Sequence, residues 1–122
     1  MSIKKKLEFH YYEENGQCEF EEFLESLPES DQAKLLAVIS NIEEFGLAIA
    51  ARMEWVKKIE KNLFEIRSKK GSNIQRALYF HVIDNHHLIT HGFTKKQDKT
   101  PENEKDHAKL IREKYLRQRR GE

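Results

Sequence analysis

Three stretches of alternating side chains, crowded between Leu63 and Phe93 and separated only by short turns, limit what this chain can fold into. Leu63-Phe64-Glu65-Ile66-Arg67 has the period-two pattern of a half-buried strand. Lys69-Lys70-Gly71-Ser72 reads as a turn, and the run from Ile74 to Ile83 is rich in aromatic and β-branched residues. Asp84-Asn85 is a second compact turn, followed by another strand from His86 to Phe93. The pattern predicts a three-stranded antiparallel meander.

Strand periodicity turns that expectation into a surface. With a two-residue loop at Asp84-Asn85, Ile83 stands opposite His86, Leu78 opposite His91, and Arg76 opposite Phe93. With a four-residue turn over 69–72, Arg67 stands opposite Ile74 and Glu65 opposite Arg76. Arg67, Arg76 and His91 then share one face with Glu65. Phe64, Ile66, Ala77, Tyr79 and Leu88 take the other, which is apolar enough to pack under helices. A slip of one residue would break this grouping. Lys95, Lys96 and Lys99 follow the last strand at the sheet edge, and Lys69 and Lys70 lie in the first turn. Two guanidinium groups with such lysines suit a ligand of closely spaced phosphates. The alternative is that Arg76 pairs with Glu65 and the lysines are only solvated.

The remaining segments support this sheet. Leu7, Phe9 and Tyr11 predict a first strand over about residues 3–11, closed by a turn at Glu13-Glu14-Asn15-Gly16. Phe20, Phe23, Leu24 and Leu27 predict a helix that stops before Pro28. Leu35, Val38, Ile39 and Ile42 predict a second, with Ser30 as N-cap and Gly46 as terminator. Together these two would form a hairpin with an acidic outer face. Residues 47–62 give no clear period, although Lys57 and Lys58 add basic charge there. Thr100-Pro101 opens a last helix, with Ala108, Ile111 and Tyr115 inward.

Charge is unevenly spread: residues 1–60 carry a net of −6 and residues 61–122 a net of +7. That asymmetry points to a basic side facing phosphates. At 122 residues the chain fits one domain, 1–122, and no run approaches the length of a membrane span. The basic start Met1 to Lys6 leads into no apolar stretch of the secretory kind, and Cys18 has no partner for a disulfide. A reducing, cytoplasmic setting is expected. His81, His86, His87 and His91 cluster, but His86 and His87 would face opposite sides of a strand, so no metal site is expected. His91 suits a general acid or base, its ordinary pKa lying near neutrality.

The string Leu63 to Arg67, then Asn73, Arg76 and Leu78-Tyr79-Phe80, then His91-Gly92-Phe93-Thr94-Lys95-Lys96 and Lys99-Thr100-Pro101, resembles the phage-derived branch of the RelE/HigB-type toxins of bacterial type II toxin–antitoxin systems. Ala108, Ile111-Arg112 and Tyr115 resemble that family's last helix. The resemblance implies an α+β, RelE/ParE-like fold: two N-terminal helices on a mostly antiparallel four-stranded curved sheet, plus a C-terminal helix. It implies a ribosome-dependent messenger RNA endoribonuclease that needs no metal or other cofactor. The expected partners are a cognate antitoxin, of helix-turn-helix type, mRNA on the ribosome, and operator DNA only through the antitoxin complex. Carried onto this chain, Arg67 and Arg76 would face the charge that builds on phosphate. Lys95 or Lys96 would hold the scissile or adjacent phosphate, and His91 or Tyr79 would move a proton. Lys57, Lys58, Lys69, Lys70 and Lys99 would bind RNA. Two other readings stay open: a toxin of the same fold that inhibits a protein such as DNA gyrase, and a non-catalytic nucleic-acid-binding module.

Overall fold

The computed structural model describes residues 5–96 and 99–121. Residues 3 and 4 of the expected first strand, and Gln97-Asp98 within the basic run, lie outside the described residues. The elements in chain order are β1 (Glu8–Tyr11), α1 (Glu19–Ser26), α2 (Glu29–Phe45), α3 (Leu47–Arg52), β2 (Val56–Glu60), β3 (Leu63–Lys70), β4 (Asn73–Ile83), β5 (His86–Thr94) and α4 (Glu102–Arg119). The strands form one sheet ordered β1-β5-β4-β3-β2. Only β1 runs parallel to its neighbour, β5; the other pairs are antiparallel. No helix among the described residues is long and apolar enough to cross a membrane.

The mixed α/β architecture with a mostly antiparallel sheet is as expected, but the sheet has five strands rather than four. The additional strand, β2, and the short α3 lie in the segment that showed no period. A register shift between Lys58 and Glu60 explains the missing alternation, since an unpaired Ile59 resets the phase of β2. The first β turn is also tighter than expected. Only Gly71 and Ser72 separate the strands, so Arg67 pairs with Arg76 and Glu65 with Leu78. This moves the register by two residues, which leaves every side chain on its expected face.

The second hairpin behaves differently. Ile83 pairs with His86, and Leu78 with His91, as the two-residue loop requires. Between them the register slips by one residue and then slips back, at Leu78/Tyr79 and at His81/Ile83. Two compensating bulges therefore reverse the facing of the middle of β5. Leu88, expected beside Tyr79, instead joins Tyr12, Phe80 and Ile111 on the opposite face.

Both faces of the sheet are covered in part. Phe20, Leu24, Leu35, Val38, Ile39 and Ile42 of α1 and α2 bury Ile66, Ala77, Tyr79 and Ile89 on one face. On the other, Ala108 and Ile111 of α4 pack over Leu63, Leu78, Phe93, Phe80 and Leu88. Helix starts differ slightly from expectation. Pro28 caps α2, leaving Ser30 inside its first turn, and Pro101 sits one position before α4. At the other end of α2, Gly46 holds φ 90°, a conformation that glycine adopts without strain.

Candidate functional site

The alternation of β3 and β4 places Glu65, Arg67 and Arg76 on the α4 side of the sheet, beyond the reach of α4 itself. Lys95, just past β5, joins them, its backbone N–H donating to the Ile74 carbonyl at 2.8 Å. All three cations converge on Glu65 Oε1: Arg76 Nε at 3.1 Å, Lys95 Nζ at 3.8 Å and Arg67 Nε at 3.9 Å. Glu65 is fully buried, and its other oxygen accepts a 2.7 Å hydrogen bond from the Thr100 hydroxyl. One carboxylate thus lies beneath three positive charges. Arg67 Nε and Arg76 Nε, both buried, have no hydrogen-bond acceptor aligned with them. Glu65 Oε1 is likewise buried without an aligned donor, so the three groups meet through charge rather than through well-directed hydrogen bonds.

These cations open onto a cavity of about 730 Å³. Its other lining residues include Lys57, Lys69, Asn73 and Lys96. Asn73 is fixed by its amide, which donates to the buried Asp31 of α2 at 2.9 Å. A shallower hollow beside it holds Lys58, Lys99, Lys105 and Thr100, and Lys57 lines both. The result is a basic track along the β2 edge. Lys70 is exposed but lines neither hollow.

Burial perturbs two of the cations. It pulls the Arg76 guanidinium below its ordinary pKa, with Glu65 opposing and Arg67 adding to the effect. Lys95 is lowered in the same way, first by burial and then by Arg76, Arg67 and Lys57, again against Glu65. A lysine so placed gives up its proton more easily than a surface lysine.

The structure does not bring His91 or Tyr79 into this cavity. His91 is on the expected face but lies beneath α4, and it is 5% exposed. Its Nε2 is 3.1 Å from Glu104 Oε1 and its Nδ1 is 2.9 Å from Thr90 Oγ1. Both ring nitrogens are thus engaged, and the Thr90 hydroxyl is also within reach of the Leu78 carbonyl, to which it donates at 3.3 Å. Tyr79 is 1% exposed on the α1/α2 face, packed against Phe9 and Phe64, and burial raises its phenol pKa. Thr100 and Asn73 are the positioning groups that strand periodicity alone did not single out. Both stood in the motif that carried the resemblance.

A family model described as phage derived protein Gp49-like (DUF891) matches residues 22–113. The chain belongs to the Gp49-like family. This family is linked to toxins of the RelE/HigB superfamily of toxin–antitoxin systems. A search of the curated proteins found no match. In this Gp49-like chain the matched region runs from α1 into α4, and it contains every residue around Glu65.

The buried histidines carry a pH prediction. Burial lowers the pKa of both His91 and His87 below the ordinary 6.5. Around His91, His107 lowers it further, while Glu104 and Glu19 oppose. Around His87, the Asn85 carbonyl opposes, whereas His81 and His86 lower it. The unfolded chain then takes up protons before the folded one does. Stability is therefore complete above about pH 6.5 and falls as the pH drops through the depressed folded values. Urea unfolding at pH 7.5 and pH 5.5 is expected to show this loss. A His87→Gln/His91→Gln variant is expected to show a smaller loss, and an unchanged loss would rule out burial of neutral rings.

Proposed function

We propose that this chain is the toxin of a type II toxin–antitoxin pair, of the RelE/HigB type, and that it cuts messenger RNA in the translating ribosome. The observation that carries this reading is the convergence of Arg67, Arg76 and Lys95 on Glu65 at the floor of a lysine-rimmed cavity. Such a floor fits a phosphodiester whose oxygens gain charge during reaction.

In the proposed step the RNA 2′-hydroxyl attacks the adjacent phosphorus. The bond from phosphorus to the 5′-oxygen breaks, leaving a 2′,3′-cyclic phosphate and a 5′-hydroxyl. One proton leaves the 2′-oxygen and one reaches the departing 5′-oxygen. Arg76 and Arg67 stabilise the charge on the phosphoryl oxygens. Lys95, with its lowered pKa, is the cavity group best suited to exchange a proton. Lys96, Lys57 and Lys69 hold the flanking phosphates. The reaction as proposed needs no metal, and a cognate antitoxin holds the toxin inactive by covering this cavity or blocking entry to the ribosome.

The test is expression in a translating extract, followed by mapping of message 5′ ends. Wild-type protein is expected to produce ribosome-dependent cuts, and Arg76→Ala to reduce their rate by about 10²-fold or more. Intact message accompanied by DNA damage would instead favour inhibition of a protein target such as gyrase. Binding to RNA without cuts would favour a non-catalytic module.

A further inference from the structure

A second cluster lies on the same face of the sheet, at its opposite edge and outside the cavity described above. We propose that Glu8, His10 and His86 form a zinc-binding site that clips β1 to β5. The parallel register sets Glu8 level with His86, and His10, two residues further along β1, shares the face of Glu8. His10 Nε2 lies 3.0 Å from His86 Nδ1. Glu8 Oε2 lies 3.6 Å from the first of these nitrogens and 3.7 Å from the second.

Those three separations describe a coordination triangle. Zinc binds imidazole nitrogen and carboxylate oxygen at about 2.1 Å, so two ligand atoms of a tetrahedral site stand about 3.4 Å apart. The observed edges of 3.0, 3.6 and 3.7 Å bracket that value, and one ion fits between the three atoms as they stand. Hydrogen bonding accounts for less of the geometry. Two neutral imidazoles can share one proton across 3.0 Å, but Glu8 is then too far from both rings to bond either. Of the described residues, these three alone bring such a set of donor atoms together.

The chemistry of the donors selects the ion. Two imidazoles and a carboxylate suit a borderline divalent cation rather than calcium or magnesium, which prefer oxygen. His10 and His86 also line a cavity of about 580 Å³, with Tyr12, Asp84 and Tyr115, which leaves room beside the triangle for a fourth ligand. Water can be that ligand. Binding would fasten the four-residue strand β1, which has a paired neighbour on one side only.

The experiment uses the untagged full-length chain and zinc chloride, in competition with a chromophoric chelator. One equivalent is expected to bind, with affinity falling at least about tenfold in Glu8→Gln and further in His10→Gln/His86→Gln. His81→Gln and His107→Gln should bind as the wild type does. Zinc should also raise the melting temperature of the wild type and leave that of His10→Gln/His86→Gln unchanged. Absence of one-equivalent binding to the folded wild-type chain would overturn the proposal, as would undiminished binding by the His10→Gln/His86→Gln variant.

Discussion

Glu65→Gln is expected to destabilise the protein by about 3–5 kcal/mol, the range for removing one partner of a buried ion pair. The change keeps the side chain's shape and leaves an oxygen to accept from Thr100, so it removes little except charge. Arg76 and Lys95, whose side chains are 7% and 4% exposed, would then face each other without a counter-ion. Arg67, at 30% exposed, would retain more water. Urea denaturation measures the loss, and for m of about 1–3 kcal/mol/M the midpoint falls by 1 M or more. Sulfate or phosphate is expected to restore part of it, by supplying negative charge where the carboxylate was. A loss below about 1 kcal/mol, with no anion dependence, would mean that the three cations do not depend on Glu65.

Substitution of Gly92 is expected to be nearly as damaging, for steric reasons. A Cβ at this position would overlap the Phe23 ring, lying 2.7 Å from its Cε2 atom. That ring stacks on Phe20 and packs against the main core, so it has little room to retreat. Gly92→Ala is expected to cost about 1–3 kcal/mol and Gly92→Val more, since overpacking forces side chains off their rotamers. A double-mutant cycle checks the cause. Gly92→Ala combined with Phe23→Leu should cost clearly less than the sum of the two single changes. Strict additivity would place the strain elsewhere. Gly92 is thus needed because α1 lies directly on β5, with no demand on its backbone angles.

Much of this architecture could be read along the chain. Alternation in β3 and β4 is local, and it set Glu65, Arg67 and Arg76 on one face even with the turn misjudged by two residues. The two bulges between β4 and β5 could not be read, because a pair of compensating slips leaves both ends of a hairpin in the expected register. Leu88 was therefore placed on the wrong face. The cover that α4 provides over His91 was equally invisible, since helix periodicity names the buried stripe but not the strand beneath it. The parallel pairing of β1 with β5 joins residues nearly eighty positions apart, and short turns report only neighbours. For that reason spacing within 81–91 alone does not show Glu8 and His10, which β1 sets beside His86.

The order of the strands has a consequence for how the protein comes into being. β1 is made first, yet it waits for β5, the last strand, before it has any partner in the sheet. The cavity is assembled later still, because Lys95 and then Thr100 must arrive to complete the surroundings of Glu65. Contacts so distant in sequence form slowly. A growing chain therefore carries its arginines long before it carries a finished site. The geometry around Glu65 therefore closes only once Thr100 has been made, and synthesis itself sets the earliest moment at which that cluster exists.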